Sequence, residues 1–267
     1  MPELPEVESV RRQLDPELNG RKIVRAWWDP HPSLPRQFMG MDRLAGRRVG
    51  AVGRRGKFLI SQLDRGLELV MHLGMTGSLQ FDTPDLHARA RLLLDDSREL
   101  VFGDARRFGR MAVVEAGDYS AIPMLRNLGP EPLSDDFDPL VFARHLARTT
   151  SSIKPLLLSQ RPVAGVGNIY ADEALWIARI HPRSRHIGKG RALVLHAAIR
   201  EVLRGAIERE GTTFRDYVMV NGSSGRNAGA LIAYGRSGSP CPRCGTPLSK
   251  ITLGGRGTTY CRLCQRH

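Results

Sequence analysis

Hydrophobic positions at the start of the chain recur at helical spacing. Val7, Val10 and Leu14 share one face, and Asn19-Gly20 supplies the stop that ends such a helix. The period then shortens. Apolar runs at 22–28, 49–52, 58–63, 67–73, 78–81, 90–94, 100–102 and 111–114 are separated by Gly, Asp and Ser turns, as strands are. About eight such strands predict a β-sandwich or barrel. Helical spacing returns at 140–148, 153–159, 169–178 and 191–210, the last with Leu195, Ile199, Val202 and Ala206 on one face. Between the two regimes, residues 129–138 read Gly-Pro-Glu-Pro-Leu-Ser-Asp-Asp-Phe-Asp, which fits a linker better than a packed element. The pattern therefore predicts an α+β chain of two domains, an N-terminal β-sandwich or barrel headed by one helix and a helical C-terminal part.

At 267 residues and 41% hydrophobic content the chain has material for two real cores. No apolar run approaches the ~18 residues of a membrane helix. The opening Met1-Pro2-Glu3-Leu4-Pro5-Glu6 is acidic where a signal peptide is basic, so a soluble, intracellular protein is expected. The net charge of +13 points to a polyanion, nucleic acid first. From Tyr217 to His267 the chain carries seven Lys or Arg (Arg226, Arg236, Arg243, Lys250, Arg256, Arg262, Arg266) and no Asp or Glu.

All 4 cysteines fall in that basic tail, as Cys241-x2-Cys244 and Cys261-x2-Cys264. Two such knuckles on a short hairpin turn four thiolates toward one point, the closed tetrahedron of a structural zinc with no open position for catalysis. The absence of cysteine elsewhere argues against a disulfide framework.

Two weaker signals carry chemistry. Gly165-Val166-Gly167-Asn168 stands where one helix stops and another starts, a place where glycines and free N–H groups admit a phosphate, although an ordinary interhelical turn reads the same way. Pro2, once Met1 is removed, presents a terminal secondary amine with a reference pKa near ~8, able to attack an electrophilic sugar carbon and form an iminium. Glu3 beside it is placed to serve as a general acid. Each feature alone also occurs without function.

In combination these features resemble the formamidopyrimidine-DNA glycosylase family. The residues that carry the resemblance run nearly end to end: Met-Pro-Glu-Leu-Pro-Glu-Val-Glu at 1–8, Gly56-Lys57-Phe58-Leu59, Met71-His72-Leu73-Gly74-Met75-Thr76-Gly77-Ser78, Arg106-Arg107-Phe108-Gly109, Gly165-Val166-Gly167-Asn168-Ile169-Tyr170 and the cysteine hairpin. The resemblance implies a bifunctional base-excision-repair enzyme that removes oxidised purines, chiefly 8-oxoguanine and formamidopyrimidines, and cuts the strand by β,δ-elimination. It implies an N-terminal catalytic sandwich at 1–130, a linker and first helix at 131–150, a helix–two-turn–helix domain at 151–216, a lesion-covering loop and connection at 217–236 and a zinc-finger hairpin at 237–267. DNA is expected in the cleft between domains. The partner it implies is double-stranded DNA with oxidised bases or abasic sites, bound by a cytoplasmic monomer with one structural zinc.

Position by position, the resemblance makes Pro2 the nucleophile, Glu3 the acid that protonates the opening deoxyribose and Lys57 a lysine near the lesion and its phosphate. His72, Asn168 and Arg256 become DNA contacts, with Asn168 and Arg256 gripping phosphates around the everted nucleotide. Met75, Arg106 and Phe108 become the wedge that fills the vacated stack; without the motifs around them, Met75 and Phe108 read as core residues. Two departures stand out. The loop at 222–227 is Gly-Ser-Ser-Gly-Arg-Asn, without the family's usual lysine and aromatic, and Ala105 stands where proline is usual before the two arginines. Two other readings stay open: an endonuclease VIII-type glycosylase preferring oxidised pyrimidines, and a protein that binds damaged DNA without cutting it.

Overall fold

The computed structural model describes residues 2–214 and 217–267. The chain forms two compact units, one of Met1–Arg126 with Arg209–Ala228, the other of Asn127–Glu208 with Gly229–His267.

In the first unit, helix α1 (Leu4–Leu18) ends at Asn19, and Gly20 follows in the left-handed region that lets the chain turn back. Its Val7, Val10, Leu14 and Leu18 face the core, each burial of such a side chain contributing about 1.5–3 kcal/mol. Nine strands follow: β1 (Ile23–Trp28), β2 (Phe38–Met39), β3 (Val49–Arg55), β4 (Phe58–Leu63), β5 (Leu67–His72), β6 (Ser78–Phe81), β7 (Ala88–Leu94), β8 (Glu99–Gly103) and β9 (Arg110–Glu115). They make two sheets, ordered β1-β7-β8-β6 and β2-β9-β5-β4-β3. Only β2 pairs in parallel, with β9; the remaining pairs are antiparallel. Leu92, Leu94, Leu100 and Phe102 from one sheet and Val52, Leu59, Leu69, Met71 and Val113 from the other share one core, so of the two architectures the strand pattern allows, sandwich or barrel, the chain takes the sandwich. A single helical turn, α2 (Pro123–Arg126), follows. Tyr217, Met219 and Val220 join the same core from far along the chain.

The second unit holds α3 (Pro139–Arg148), α4 (Ile153–Leu158), α5 (Asn168–Ile177), α6 (Lys189–Glu208) and the antiparallel hairpin β10 (Ser249–Leu253) and β11 (Arg256–Tyr260). Helix α6 buries Leu195, Ala198, Ile199, Leu203 and Ala206. Asp138 caps α3, its carboxylate accepting the Leu140 and Val141 N–H groups at 2.8 and 2.7 Å. The proline-bearing stretch before it is tied down more than its composition suggests. Phe137 is buried, stacked on His196 with ring centroids 4.1 Å apart, and the Gly129 N–H donates to the Gln160 carbonyl at 2.8 Å. Among the described residues no helix is long and apolar enough to cross a membrane.

Candidate functional site

The head of α1 is built as a reciprocal cap. Glu3 is the N-cap, and Glu6, three residues on, turns its carboxylate back to accept the Glu3 N–H at 2.7 Å. The other Glu6 oxygen accepts the Thr212 N–H at 2.7 Å, and the Tyr217 hydroxyl donates to the Glu6 carbonyl at 3.2 Å. Pro2 and Glu3 are thus buried and fixed by a carboxylate that also ties in the segment after residue 208. Glu6 went unassigned in the sequence, although the Glu3-x-x-Glu6 spacing before an apolar run was the available signal.

Helix α1 connects to the Lys57 turn through charge. Glu8 accepts from Arg54 Nε at 3.2 Å, and Arg54 Nη1 donates to the Gly56 carbonyl at 2.9 Å. Gly56, at φ 57°, lets β3 and β4 meet in a two-residue turn with Lys57 as its second residue. Lys57 is 3% exposed, which separates it from an ordinary strand-end lysine. His72 lies on the neighbouring strand β5, its ring 4.7 Å from that of Phe58. The Gly74 N–H donates to His72 Nδ1 at 3.1 Å, which leaves Nε2 as the protonated nitrogen of the neutral ring. Burial first, then the Lys57 and Arg110 charges, push the imidazole down to about 4. His72 is therefore a neutral donor at physiological pH.

Met75 lies in the turn after β5, and Arg106 and Phe108 in the loop between β8 and β9. The two loops abut backbone to backbone: a Cβ on Gly74 would fall 2.5 Å from the Gly109 nitrogen. Phe108 is 49% exposed, with the Arg106 guanidinium 4.8 Å from its ring centroid, a cation–π contact. Arg107 adopts a left-handed φ of 55° and pairs with Asp29, so the two adjacent arginines diverge.

The second unit brings Asn168 and the Arg256 turn together. Asn168 opens α5 after Gly165 at φ 78°, and its Nδ2 donates to the Gly257 carbonyl at 3.2 Å. Arg256 starts β11 and is exposed, preceded by Gly254 and Gly255 in the left-handed region. Beneath this turn lies a fully buried ion pair, Lys154 Nζ to Asp172 Oδ1 at 2.6 Å. Lys154 also donates to the Gly257 carbonyl at 3.2 Å and to Thr258 Oγ1 at 2.9 Å, while Asp172 Oδ2 accepts the Thr259 N–H at 2.9 Å. Burial raises the Asp172 carboxyl to about 6 even against the pull of Lys154. Neither residue was picked from the sequence; a lysine inside the apolar run Ile153-Lys154-Pro155-Leu156-Leu157-Leu158 was the only sign.

The four cysteines converge. Their sulfurs lie within 4.8 Å of one another, with Cys241 and Cys264 3.9 Å apart and Cys244 and Cys261 3.5 Å apart. Four Zn–S bonds of about 2.3 Å in a tetrahedron set sulfurs roughly 3.8 Å apart, so the donor set fits one zinc and leaves no ligand position for water. Crowding shows in the thiols: burial and the neighbouring sulfurs push Cys264 up to about 12, while hydrogen bonds from Thr246 hold Cys244 down to about 6. The first knuckle is anchored on α5. Arg243 stacks 3.7 Å over the Trp176 ring and donates to the Trp176 and Ile177 carbonyls at 2.6 and 3.1 Å.

Fold and thiolate cluster together define a zinc-stapled, nucleic-acid-binding class of protein. Three family models match in sequence order: the formamidopyrimidine-DNA glycosylase N-terminal domain over residues 1–111, its H2TH domain over 128–218, and a zinc finger shared with isoleucyl-tRNA synthetases over 238–266. The formamidopyrimidine-DNA glycosylase of Deinococcus radiodurans is 43% identical over 278 residues, covering 99% of this chain and 97% of that one. A crystal structure of the Thermus thermophilus protein superposes with a TM-score of 0.93 at 45% identity, covering 99% and 98% of the two chains. A point mutant of the Lactococcus lactis protein, in complex with DNA containing a formamidopyrimidine lesion, gives 0.91 at 35% identity and covers 100% of both chains. The chain belongs to the formamidopyrimidine-DNA glycosylase family.

Proposed function

We propose that this chain is a base-excision-repair DNA glycosylase and abasic-site lyase, excising oxidised purines such as 8-oxoguanine and formamidopyrimidines from double-stranded DNA. The observation that carries the reading is the capped head of α1, which fixes Glu3 beside Pro2 in a buried setting.

With Met1 removed, the Pro2 nitrogen attacks the sugar C1′, a C1′–N bond forms, and the bond to the damaged base breaks, the departing base taking up the proton that the amine loses. Glu3 delivers a proton to the ring oxygen as the deoxyribose opens, leaving a cationic iminium between Pro2 and the sugar. The iminium draws electrons from the C2′–H bond. Loss of that proton expels the 3′ phosphate, a second elimination expels the 5′ phosphate, and water then releases the sugar fragment from Pro2. Lys57 and the neutral His72 supply positive charge and an Nε2–H donor for phosphate or lesion. Asn168 and Arg256 hold phosphates in the second unit, and zinc acts only by folding the hairpin that carries Arg256.

Extruding a base costs a few kcal/mol of stacking, about what an inserted wedge offsets; Met75, Arg106 and Phe108 take that role. The segment over the lesion is 217–236. Its 222–227 turn lacks lysine and aromatic side chains and is held by its own bonds, Ser223 N–H and Oγ both donating to Asn221 Oδ1 at 3.0 and 2.6 Å. Lesion contacts there come from backbone groups and Arg226. The protein acts as a monomer in the cytoplasm.

Strand cleavage of duplexes carrying either 8-oxoguanine opposite cytosine or an oxidised pyrimidine tests the reading. Faster cleavage of the oxoguanine duplex is expected. Cleavage of the pyrimidine duplex alone would assign the chain an endonuclease VIII-type preference, and binding without cleavage of either would make it a damage-binding protein.

A further inference from the structure

Asp104 follows the end of β8, is 1% exposed, and forms no ion pair among the described residues. Its carboxylate instead collects donors from three places. Oδ1 accepts the Thr76 hydroxyl at 2.5 Å and the Arg106 N–H at 3.3 Å, and Oδ2 accepts the Gly109 N–H at 2.6 Å. Thr76 Oγ1 in turn accepts the Arg106 N–H at 3.2 Å. One buried side chain thus holds the residue after Met75, the amide of Arg106 and the amide after Phe108.

The surroundings make this arrangement rigid on one side and open on the other. The Asp104 N–H donates to the His87 carbonyl at 2.9 Å, and Arg89 Nε donates to the Asp104 carbonyl at 3.1 Å, which anchors the carboxylate to the sheet. Arg107 is drawn off to Asp29, which Arg89 also binds at 3.0 Å. Gly109 has no room for a side chain, since a Cβ there would lie 2.4 Å from the Phe102 ring. Arg106 and Phe108 are left exposed, with their backbone fixed from beneath. Ala105 lacks the ring that stiffens a proline backbone, so the loop is restrained by hydrogen bonds, those of Asp104 to the Arg106 and Gly109 amides and those of Arg107 to Asp29.

We propose that Asp104 is the positioning residue for base extrusion: its carboxylate fuses the Met75 turn and the Arg106–Phe108 loop into one preformed wedge. The inference rests on the reading that these three side chains enter the stack. Asp104 does not touch the reacting atoms. Its removal should impair the step that opens a duplex and spare chemistry at a sugar that already lacks its base, because an abasic site needs no base unstacked.

The test is single-turnover excision of 8-oxoguanine opposite cytosine in a duplex, run beside borohydride trapping at a preformed abasic site in single-stranded DNA. Asp104→Asn keeps the shape but replaces one acceptor with a donor. It should slow duplex excision by about tenfold or more, the cost of losing an oriented hydrogen bond to a charged group, with abasic trapping within about twofold of wild type. Thr76→Val, which keeps the carboxylate and deletes one donor, should show the same split with a smaller drop. Fluorescence of 2-aminopurine beside the lesion should report a smaller fraction of opened duplex for both variants. Equal loss in both assays would make Asp104 an ordinary structural residue and overturn the inference, as would no loss in either. Phe108→Ala keeps the two failures apart. If it leaves duplex excision unchanged, the wedge reading is wrong; if it slows excision while Asp104→Asn and Thr76→Val do not, the wedge stands and Asp104 does not position it.

Discussion

The loops bearing Met75, Arg106 and Phe108 hang on a buried carboxylate whose partners are a hydroxyl and two amide N–H groups. The segment bearing Asn168 and Arg256 hangs on a carboxylate paired with a buried lysine. Both anchors lie beneath side chains that are half-buried, as Met75 and Asn168 are, or exposed, as Arg106, Phe108 and Arg256 are, but they fail differently. Removing Asp104 strands neutral donors, each costing about 1–3 kcal/mol when buried and unmet. Removing Lys154 strands a charge, which costs more because the interior cannot solvate it. The segment bearing Asn168 and Arg256 is therefore stiff and brittle, the loops bearing Met75, Arg106 and Phe108 more easily retuned.

Zinc removal should give the largest effect, since structural zinc contributes on the order of 10 kcal/mol to folding of a small hairpin. Chelation or Cys261→Ser should abolish amide protection over β10 and β11 and weaken DNA binding, with protection in the sandwich strands unchanged. Unaltered DNA affinity after metal loss would separate the hairpin from DNA contact. Next comes Lys154→Met, expected to destabilise the second unit by about 3–5 kcal/mol in denaturant melts followed by hydrogen exchange at 256–260. A cost below that of Asp104→Asn would break the contrast between the two anchors.

Arg256→Ala should act on affinity alone. Loss of one phosphate contact lowers the slope of log affinity against log salt by about 0.9 and weakens damaged and undamaged duplexes alike. An unchanged slope would remove Arg256 from the interface.

Acid should distinguish the two units by sign. His72 sits at about 4 in the fold against an ordinary 6.5, so between those values the unfolded chain binds a proton the folded chain does not. Its contribution is present above pH 6.5 and lost as pH falls through 4. Asp172 sits at about 6 against an ordinary 3.8, so its contribution is present below pH 3.8 and lost as pH rises through 6. Hydrogen exchange corrected for intrinsic rates, compared at β5 and β11 between pH 4.5 and 7, should show the opposing slopes. His72→Gln should erase the first and Asp172→Asn the second.

Much of the scaffold was readable because it is locally encoded. The Asn19-Gly20 stop, the alternating strands and the two cysteine knuckles each act over a few residues, and each appears where the spacing put it. The two-residue strand β2 is too short for alternation to register, and Phe137 lay hidden in a stretch whose prolines and acids read as a linker. The anchors were invisible for a different reason. Glu6 meets Thr212 across 206 residues and Lys154 meets Thr258 across 104, so only the fold reveals that these charges are buried and partnered. The motifs could be read along the chain; what holds them in place could not.

In the proposed reaction Pro2 attacks the sugar. Its most direct test is borohydride trapping of protein with a mass-verified Pro2 terminus on an 8-oxoguanine·cytosine duplex, with the adduct mapped by peptide sequencing. A covalent adduct on Pro2, absent in a Pro2→Gly variant that still binds the duplex, is the predicted result. An adduct on another residue, or none from protein that binds with a free Pro2, would contradict it.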